Sequence, residues 1–119
     1  MRIHLTESDK VHGELAYKAV VKLARERGLA GCTVSRGAMS FGAHSTLHYD
    51  RVEVLSLDLP VVIECVDTEE RIRSIMPEID SLVGGGLITL EKADVIVYRP
   101  DEDDVVPDSQ GDFVNRQRV

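Results

Sequence analysis

Two amphipathic helix patterns, each with strand patterns before and after it, most constrain how this chain can fold. The first pattern runs roughly from Glu14 to Arg27, and the second follows Asp67. In both, apolar residues recur at intervals of three and four, the spacing that places them along one face of a helix. The first stripe contains Leu15, Ala16, Ala19, Val20, Leu23 and Ala24, and the second contains Ile72, Ile75, Met76, Ile79, Leu82 and Val83. Each helix can therefore cover one face of a sheet.

Four strand patterns frame these helices. Arg2 to Thr6 alternates polar and apolar residues, and Gly31 to about Arg36 begins with strand-forming residues. Pro60 to Val66 is nearly all apolar, and Leu87 to Tyr98 contains the last strand, centred on Val95, Ile96 and Val97. The order β-α-β-β-α-β consists of two half-repeats of the split βαβ arrangement. The predicted fold is α+β and ferredoxin-like, with an antiparallel sheet, two helices on one face and a long loop after the second strand.

Particular residues at the ends of the two predicted helices indicate where each helix begins or ends. Gly28 is placed to end the first helix in a left-handed cap. Asp67 as the N-cap, with Glu70 three residues later, has the pattern of a capping box for the second helix. Pro77 lies inside that helix and predicts a kink or a fresh start, because proline removes one backbone hydrogen bond. Gly84-Gly85-Gly86 ends the second helix.

The strand from Pro60 to Val66 is apolar on both faces, which predicts that both faces are covered. Two helices cover only one face of a sheet, so the other face requires a neighbouring subunit. Glu64 lies within this strand and is expected to have a partner, because a buried charge without one is costly. Glu64 either forms a structural ion pair or contacts a ligand in a cleft between subunits.

Composition narrows the class of protein. The chain has 119 residues, 43% of them hydrophobic, and a net charge of −7. The acidic balance excludes a typical nucleic-acid binder, which needs a basic face. The sequence contains no stretch of about 18 apolar residues, which a membrane-spanning helix would need. The N-terminus also lacks a signal-peptide pattern, so the predicted location is the cytoplasm. Cys32 and Cys65 are then expected to be reduced core residues.

The composition shifts near Pro100. Residues 101–112 contain six acidic side chains, which repel one another and disfavour a compact form. The predicted division is a domain over residues 1–98 and an acidic, flexible C-terminal tail over residues 99–119. The alternative is an arm that packs on a neighbouring subunit, with Phe113 and Val114 as anchors.

The connection within Thr33 to His48 is the candidate functional segment. It is long for a small domain, and such loops are typically functional or disordered. Residues 38–50 contain few large apolar side chains, so this part is expected to be mobile, and a strand resumes only near Val52. Arg51 to Leu57 is either that strand or the returning arm of the loop.

Several residues of this connection have two alternative interpretations. Arg36 and Gly37 either bind a phosphate, with glycine allowing close backbone approach, or form an ordinary loop ion pair and turn. Phe41 and Gly42 either contact a ligand or anchor the base of the loop. His44 and His48 either bind a metal or remain solvated.

The glycines at 84–86 do not form a P-loop, since no Lys-Ser/Thr follows and the next element is a strand. They are a helix cap and turn, or an anion-binding nest. No convincing catalytic set is present: Ser8, Asp9 and His12 are close in sequence, but no nucleophile or metal motif supports them. We therefore expect a protein that is not an enzyme, with no catalytic and no metal-ligating residues assigned.

Five blocks of the sequence resemble the PII-like signalling proteins of the group called domain of unknown function 190. The resemblance covers about residues 1–98. The blocks are Glu7-Ser8-Asp9-Lys10, Gly31-Cys32-Thr33-Val34-Ser35-Arg36-Gly37, Phe41-Gly42-Ala43-His44, Asp58-Leu59-Pro60-Val61-Val62-Ile63-Glu64 and Gly86-Leu87-Ile88-Thr89-Leu90-Glu91. The true PII proteins are similar to a lesser degree, through a Thr-Val-Ser strand that leads to Phe-Gly.

The resemblance implies a homotrimer that binds an adenine nucleotide in the cleft between subunits and presents its loop to a partner such as a membrane transporter. The implied ligand-binding residues are Arg36, Gly37, Phe41, Gly42, Glu64, Gly86, Leu87 and Ile88. PII proteins have basic residues beside the glycine turn, whereas here the nearest is Lys92, which favours AMP or ADP over ATP. The alternatives are a metal-binding trimer that uses His44 and His48, and a small nucleotide hydrolase.

Overall fold

A computed structural model describes residues 1–40, 48–49 and 59–100, with the backbone alone for Ser40, His48 and Tyr49. Its main sheet consists of β1 (Arg2–Thr6), β4 (Cys32–Arg36), β7 (Pro60–Cys65) and β8 (Leu87–Thr89). These four strands are antiparallel to their neighbours and lie in the order β4-β7-β1-β8. The helices are α1 (Ala16–Glu26) and α2 (Glu69–Leu82). Two short ladders pair β2 (Lys10–Val11) with β3 (Glu14–Leu15) and β5 (Met39–Ser40) with β6 (His48–Tyr49).

The topology consists of two interleaved βαβ units. In the first, β1 and β4 are joined through α1 and separated in the sheet by β7. In the second, β7 and β8 are joined through α2 and separated by β1. This is the split βαβ arrangement. The predicted α+β class, with an antiparallel sheet and two helices, is confirmed.

The core lies between the helices and one face of the sheet. Alternate residues of β1 and β7 point into it, and the apolar stripes of the two helices pack against them, as the periodicity predicted. Burying one large aliphatic side chain contributes roughly 1.5–3 kcal/mol. The fully buried members with the largest side chains are Ile3, Ile63, Ile79, Val20, Val61 and Cys65.

Helix α1 ends as predicted and begins later than predicted. Gly28 has a φ of 71° and its N–H donates to the Arg25 carbonyl at 3.0 Å, while the Leu29 N–H donates to the Ala24 carbonyl at 3.0 Å. This pair of bonds forms a Schellman motif, which requires the left-handed residue that glycine supplies. The predicted start at Glu14 is wrong, because Glu14–Leu15 pairs with β2 before the helix begins.

The cap of α2 is Thr68, one residue later than predicted. The Thr68 hydroxyl accepts a hydrogen bond from the Arg71 N–H at 3.3 Å. Asp67 is instead engaged by the connection between α1 and β4, where its carboxylate accepts from the Ala30 N–H at 2.9 Å. The carboxylate that the sequence assigned to capping therefore joins two parts of the fold.

Pro77 does not produce the predicted fresh start, since α2 is one continuous helix through it. Proline removes a single N–H donor from the helix. The flanking residues Ile75 and Ile79 are buried in the core, which holds both halves of the helix against the sheet.

The prediction that Val95, Ile96 and Val97 form the centre of the last strand is wrong. Strand β8 ends at Thr89, and Ile96 is 91% exposed. The physical reason is the length of the neighbour: Thr89 pairs with Arg2, the first residue of β1, so no strand residue remains beyond it to pair with. The chain then leaves this edge, and the Tyr98 hydroxyl donates to the Ala30 carbonyl at 2.8 Å, close to the start of β4.

The long connection has a paired base. Met39 pairs with Tyr49 and Ser40 pairs with His48, so extended backbone returns before position 52, where the sequence predicted it. Residues 41–47, 50–58 and 101–119 lie outside the described residues. The predictions for the tip of the loop, for the segment from Arg51 to Leu57 and for the acidic tail fall on those residues.

Candidate functional site

The antiparallel sheet places several of the predicted site residues at one of its two ends. Strands β4 and β1 end there, and β7 and β8 begin there. We call this the loop end, because the long connection leaves from it. It carries Arg36 and Gly37 at the end of β4, Pro60 at the start of β7, and Gly86 just before β8.

Gly37 is held against the start of β7. Its N–H donates to the Pro60 carbonyl at 2.8 Å. A Cβ atom on Gly37 would come within 2.9 Å of the Pro60 Cγ atom, closer than non-bonded carbon atoms approach. Glycine at this position is therefore explained by the backbone's close approach to the proline ring, and this contact fixes the direction in which the chain leaves β4.

The Arg36 guanidinium donates a hydrogen bond to the Glu7 carboxylate and forms an ion pair with it. The Arg36 side chain is 60% exposed, while that of Glu7 is only 18% exposed. The Glu7 N–H donates to the Leu59 carbonyl at 2.7 Å, which ties the turn after β1 to the segment before β7. Arg36 is thus positioned by a largely buried carboxylate and still presents most of its surface to solvent.

Glu7 was not among the predicted site residues. It lies 29 residues from Arg36, and sequence spacing does not connect the two. The signal that could have found it is topological: in the predicted sheet, the turn after the first strand and the end of the second lie at the same end. An acid in that turn is then a natural partner for an arginine at the strand end.

The glycine turn at 84–86 lies at the opposite edge of the loop end. A Cβ atom on Gly86 would lie 2.5 Å from the His4 carbonyl oxygen, so glycine is required there. Gly84 and Gly85 have open space around their Cα atoms. Among the glycines that the structure describes, only Gly13 and Gly28 have a positive φ. The turn therefore lacks the alternation of right- and left-handed residues that forms an anion nest.

Leu87 and Ile88 point to opposite faces of the sheet. Leu87 pairs with His4 on the face away from the helices and is 55% exposed, while Ile88 pairs with Ile3 and packs against the core. Of these two predicted residues, Leu87 alone can offer an apolar wall on the face away from the helices. We call that face, formed by Arg2, His4, Val62, Glu64 and Leu87, the open face.

The predicted residues do not converge within one chain. Arg36 and Gly86 are separated by β7 and β1, and three strand spacings amount to roughly 14 Å. Glu64 lies toward the other end of the sheet, where it forms an ion pair with Arg2 at 3.2 Å, so the predicted partner for Glu64 is found. Phe41 and Gly42 lie outside the described residues.

Neither of the other two proposed activities gains a site in the described part of the chain. There, no group of three or more His, Cys, Asp or Glu side chains could hold a metal ion. His44 falls within 41–47, which are not described, and only the backbone is described for His48. Asp9 serves the turn after β1, since its carboxylate accepts from the Thr6 N–H at 2.8 Å.

Within the described residues, neither α1 nor α2 has the length and apolar character needed to cross a bilayer. The longer of the two helices, α2, has 14 residues, whereas a span needs about 20.

Comparison with known proteins places the chain in a family. The model of the DUF190 family, described as Uncharacterized ACR, matches residues 1–95. A UPF0166 protein of Methanocaldococcus jannaschii is 38% identical over 100 residues, which cover 83% of this chain and 90% of the relative. A UPF0166 protein of Aquifex aeolicus is 38% identical over 96 residues, covering 81% of this chain and 90% of the relative. Since the family match includes all four strands of the main sheet and both helices, this chain belongs to the DUF190 family.

Proposed function

We propose that the protein is a PII-like sensor that is not an enzyme. As a homotrimer, it binds an adenine nucleotide between two subunits at the loop end and presents the loop over residues 38–50 to a partner protein. The observation that carries the proposal is the placement of Arg36. This arginine is exposed, held by Glu7 and located where the loop leaves the sheet. A planar, permanently charged guanidinium at such a position suits a phosphate group.

The separation of the predicted residues supports a site made by two subunits. Arg36 and the glycine turn lie at opposite edges of the sheet, roughly 14 Å apart from backbone to backbone. Two copies that pack side by side can bring the β4 edge of one against the β8 edge of the next. The exposed Leu87 beside the glycine turn would then supply an apolar surface for the purine.

The charge at the loop end supports AMP or ADP over ATP. Arg36 already faces the Glu7 carboxylate, so a phosphate must share the guanidinium or displace the acid. The described residues of the glycine turn include no basic side chain. In a chain of net charge −7, a third phosphate gains little attraction and adds repulsion.

Titration calorimetry of the parent protein with AMP, ADP and ATP tests the proposal, with Arg36→Ala as the diagnostic variant. Loss of a hydrogen bond to a charged group should weaken AMP and ADP binding by about 1.5–3 kcal/mol. Arg73→Ala is the matched control, because Arg73 is an exposed arginine paired with Glu69 at 2.9 Å on α2, away from the loop end. Equal binding by Arg36→Ala and the parent would refute the site, and a preference for ATP would refute the phosphate argument.

The metal-binding and hydrolase alternatives remain predictions from the sequence. Calorimetry with divalent metals tests the first, using His44→Ala and His48→Ala variants. Incubation with ATP, followed by chromatography of the products, tests the second.

A further inference from the structure

Cys32 and Cys65 lie directly opposite each other in the ladder between β4 and β7. Cys65 directs its backbone groups toward the other neighbour: its N–H donates to the Met1 carbonyl at 3.0 Å, and its carbonyl accepts from the Met1 amino group at 2.9 Å. The N–H and C=O of one strand residue point to the same side, so Cys65 has no backbone bond to Cys32. The Gly37 N–H to Pro60 carbonyl bond, at the alternate register of the same ladder, agrees with this assignment.

A pair of this type brings side chains as close as an antiparallel sheet allows. In non-hydrogen-bonded pairs the Cα atoms are about 4.5 Å apart, and their side chains lie closer than those of hydrogen-bonded pairs. Disulfides span Cα separations of roughly 4.4–6.8 Å, so the backbone already provides a spacing that a disulfide can bridge. Both side chains lie on the same face of the sheet, and both cysteines are free thiols.

The two thiols have different surroundings. Cys65 is 1% exposed within the core, whereas Cys32 is partly exposed because β4 is the edge strand of the sheet. A hydrogen bond between the two thiols lowers the pKa of Cys32. The same bond, together with burial, raises the pKa of Cys65. The partly exposed cysteine is therefore also the one whose thiol ionises more readily, and thiolates are the nucleophiles in disulfide exchange.

We propose that Cys32 and Cys65 form a reversible intramolecular disulfide across β4 and β7. The oxidant is a low-molecular-weight disulfide such as oxidised glutathione. The Cys32 thiolate attacks one of its sulfur atoms, the S–S bond breaks, and one glutathione thiolate leaves and takes a proton. Cys65 then gives up its proton and attacks the Cys32 sulfur, which releases the second glutathione. Two protein thiols are oxidised and one small disulfide is reduced to two thiols, and an excess of a dithiol reverses the reaction.

The disulfide would covalently join the edge strand that carries Arg36 to the central strand β7. The closed loop contains the whole connection from β4 to β7. The cross-link should therefore stabilise the fold by restricting the unfolded chain, and it should slow the local opening of β4. This inference does not depend on nucleotide binding.

The test uses the full-length protein with an excess of oxidised glutathione, followed by denaturation and mass spectrometry without reductant. We expect a mass lower by two hydrogen atoms, no free thiols, and a non-reduced tryptic fragment that joins the Cys32 and Cys65 peptides. The thermal midpoint should rise by about 10 °C and return to its original value with dithiothreitol. Amide exchange in β4 should slow after oxidation.

Cys32→Ser and Cys65→Ser are the controls, and neither should lose two hydrogen atoms under the same treatment. Cys32 is partly exposed at an edge, so Cys32→Ser should fold even if Cys65→Ser does not. Two free thiols in the treated parent, a stable glutathione adduct on Cys32, or disulfide-linked pairs of chains would each overturn the proposal.

Discussion

The Arg36 side chain at the end of β4 donates a hydrogen bond to the carboxylate of Glu7 in the turn after β1. Arg36 ends β4 and Glu7 follows β1, and these two strands are not neighbours in the sheet, since β7 lies between them. Glu7 is largely buried and Arg36 is largely exposed, so the acid positions the arginine while leaving it accessible to an incoming anion. In the proposed function, Glu7 is therefore both the support for Arg36 and the competitor of the phosphate.

Glu7→Gln should bind AMP and ADP more tightly than the parent does. The substitution removes the negative charge that faces Arg36 and keeps the shape of the side chain. An ion pair near the surface contributes roughly 0.2–1 kcal/mol, so releasing Arg36 should improve affinity by up to about fivefold. Titration calorimetry at constant ionic strength measures the effect.

Glu69→Gln is the matched control for this variant. Glu69 is paired with Arg73 on α2, and its replacement changes the net charge of the chain by the same amount. Its nucleotide affinity should equal that of the parent. Weaker binding by Glu7→Gln would mean that positioning of Arg36 by Glu7 outweighs competition, and the competitor role would be wrong.

Gly86→Ala should destabilise the fold, whereas Gly85→Ala should not. A methyl group at Gly86 would lie 2.5 Å from the His4 carbonyl oxygen, a backbone atom in the central part of the sheet that cannot move freely. Overpacking of this kind typically costs about 1–3 kcal/mol. Gly85 has no atom within 4 Å of the corresponding position, so its substitution is a neighbouring control. Urea denaturation of both variants measures the difference, and equal midpoints would contradict the described path of the turn.

The fold was largely predictable because its strongest signals are local. The helical stripes and the alternation in β1 depend on residues close in sequence, and the structure confirms them except for Leu15, which lies in β3. The last strand was misplaced because Val95, Ile96 and Val97 have strong strand propensity, while the end of β8 is decided by where β1 begins. Strand propensity depends on the residue types within a segment and contains no information about the length of the strand that pairs with it.

The candidate site was predictable only in part, for a related reason. Arg36 and Gly37 stood out within their own segment, but their contacts with Glu7 and Pro60 come from remote parts of the chain. The prediction that Asp67 caps α2 is wrong for the same reason. Its carboxylate accepts a hydrogen bond from the Ala30 N–H, 37 residues away in the sequence. Contacts between residues distant in sequence can be predicted only after the order of the strands in the sheet is known.

The ion pair between Arg27 and Glu78 predicts a small loss of stability in acid. The hydrogen bond from Arg27 lowers the pKa of Glu78 below the ordinary carboxyl value of 4.5. A carboxyl group with a lowered pKa in the folded state stabilises the fold above its unfolded pKa, and this contribution is lost as the pH falls through the folded pKa. Urea midpoints measured between about pH 6 and pH 3 should fall less steeply in Glu78→Gln than in the parent. Identical pH profiles would show that the pair contributes nothing, as many exposed pairs do.

Val62→Asp should prevent the assembly that the proposed function requires. Val62 occupies the middle of the open face, opposite Ser35 of β4 and His4 of β1. It is only half-buried in the single chain, so a carboxylate there remains hydrated unless another subunit covers it. Burying an unpaired charge at an interface is costly. Light scattering at micromolar concentration should give three times the chain mass for the parent and a mass close to one chain for Val62→Asp, with an unchanged circular dichroism spectrum.

Ser74→Asp, on the exposed side of α2, adds the same charge and should remain assembled. A parent protein that scatters as a single chain would rule out the trimer, and a fully assembled Val62→Asp would show that the open face is not the surface through which the subunits meet.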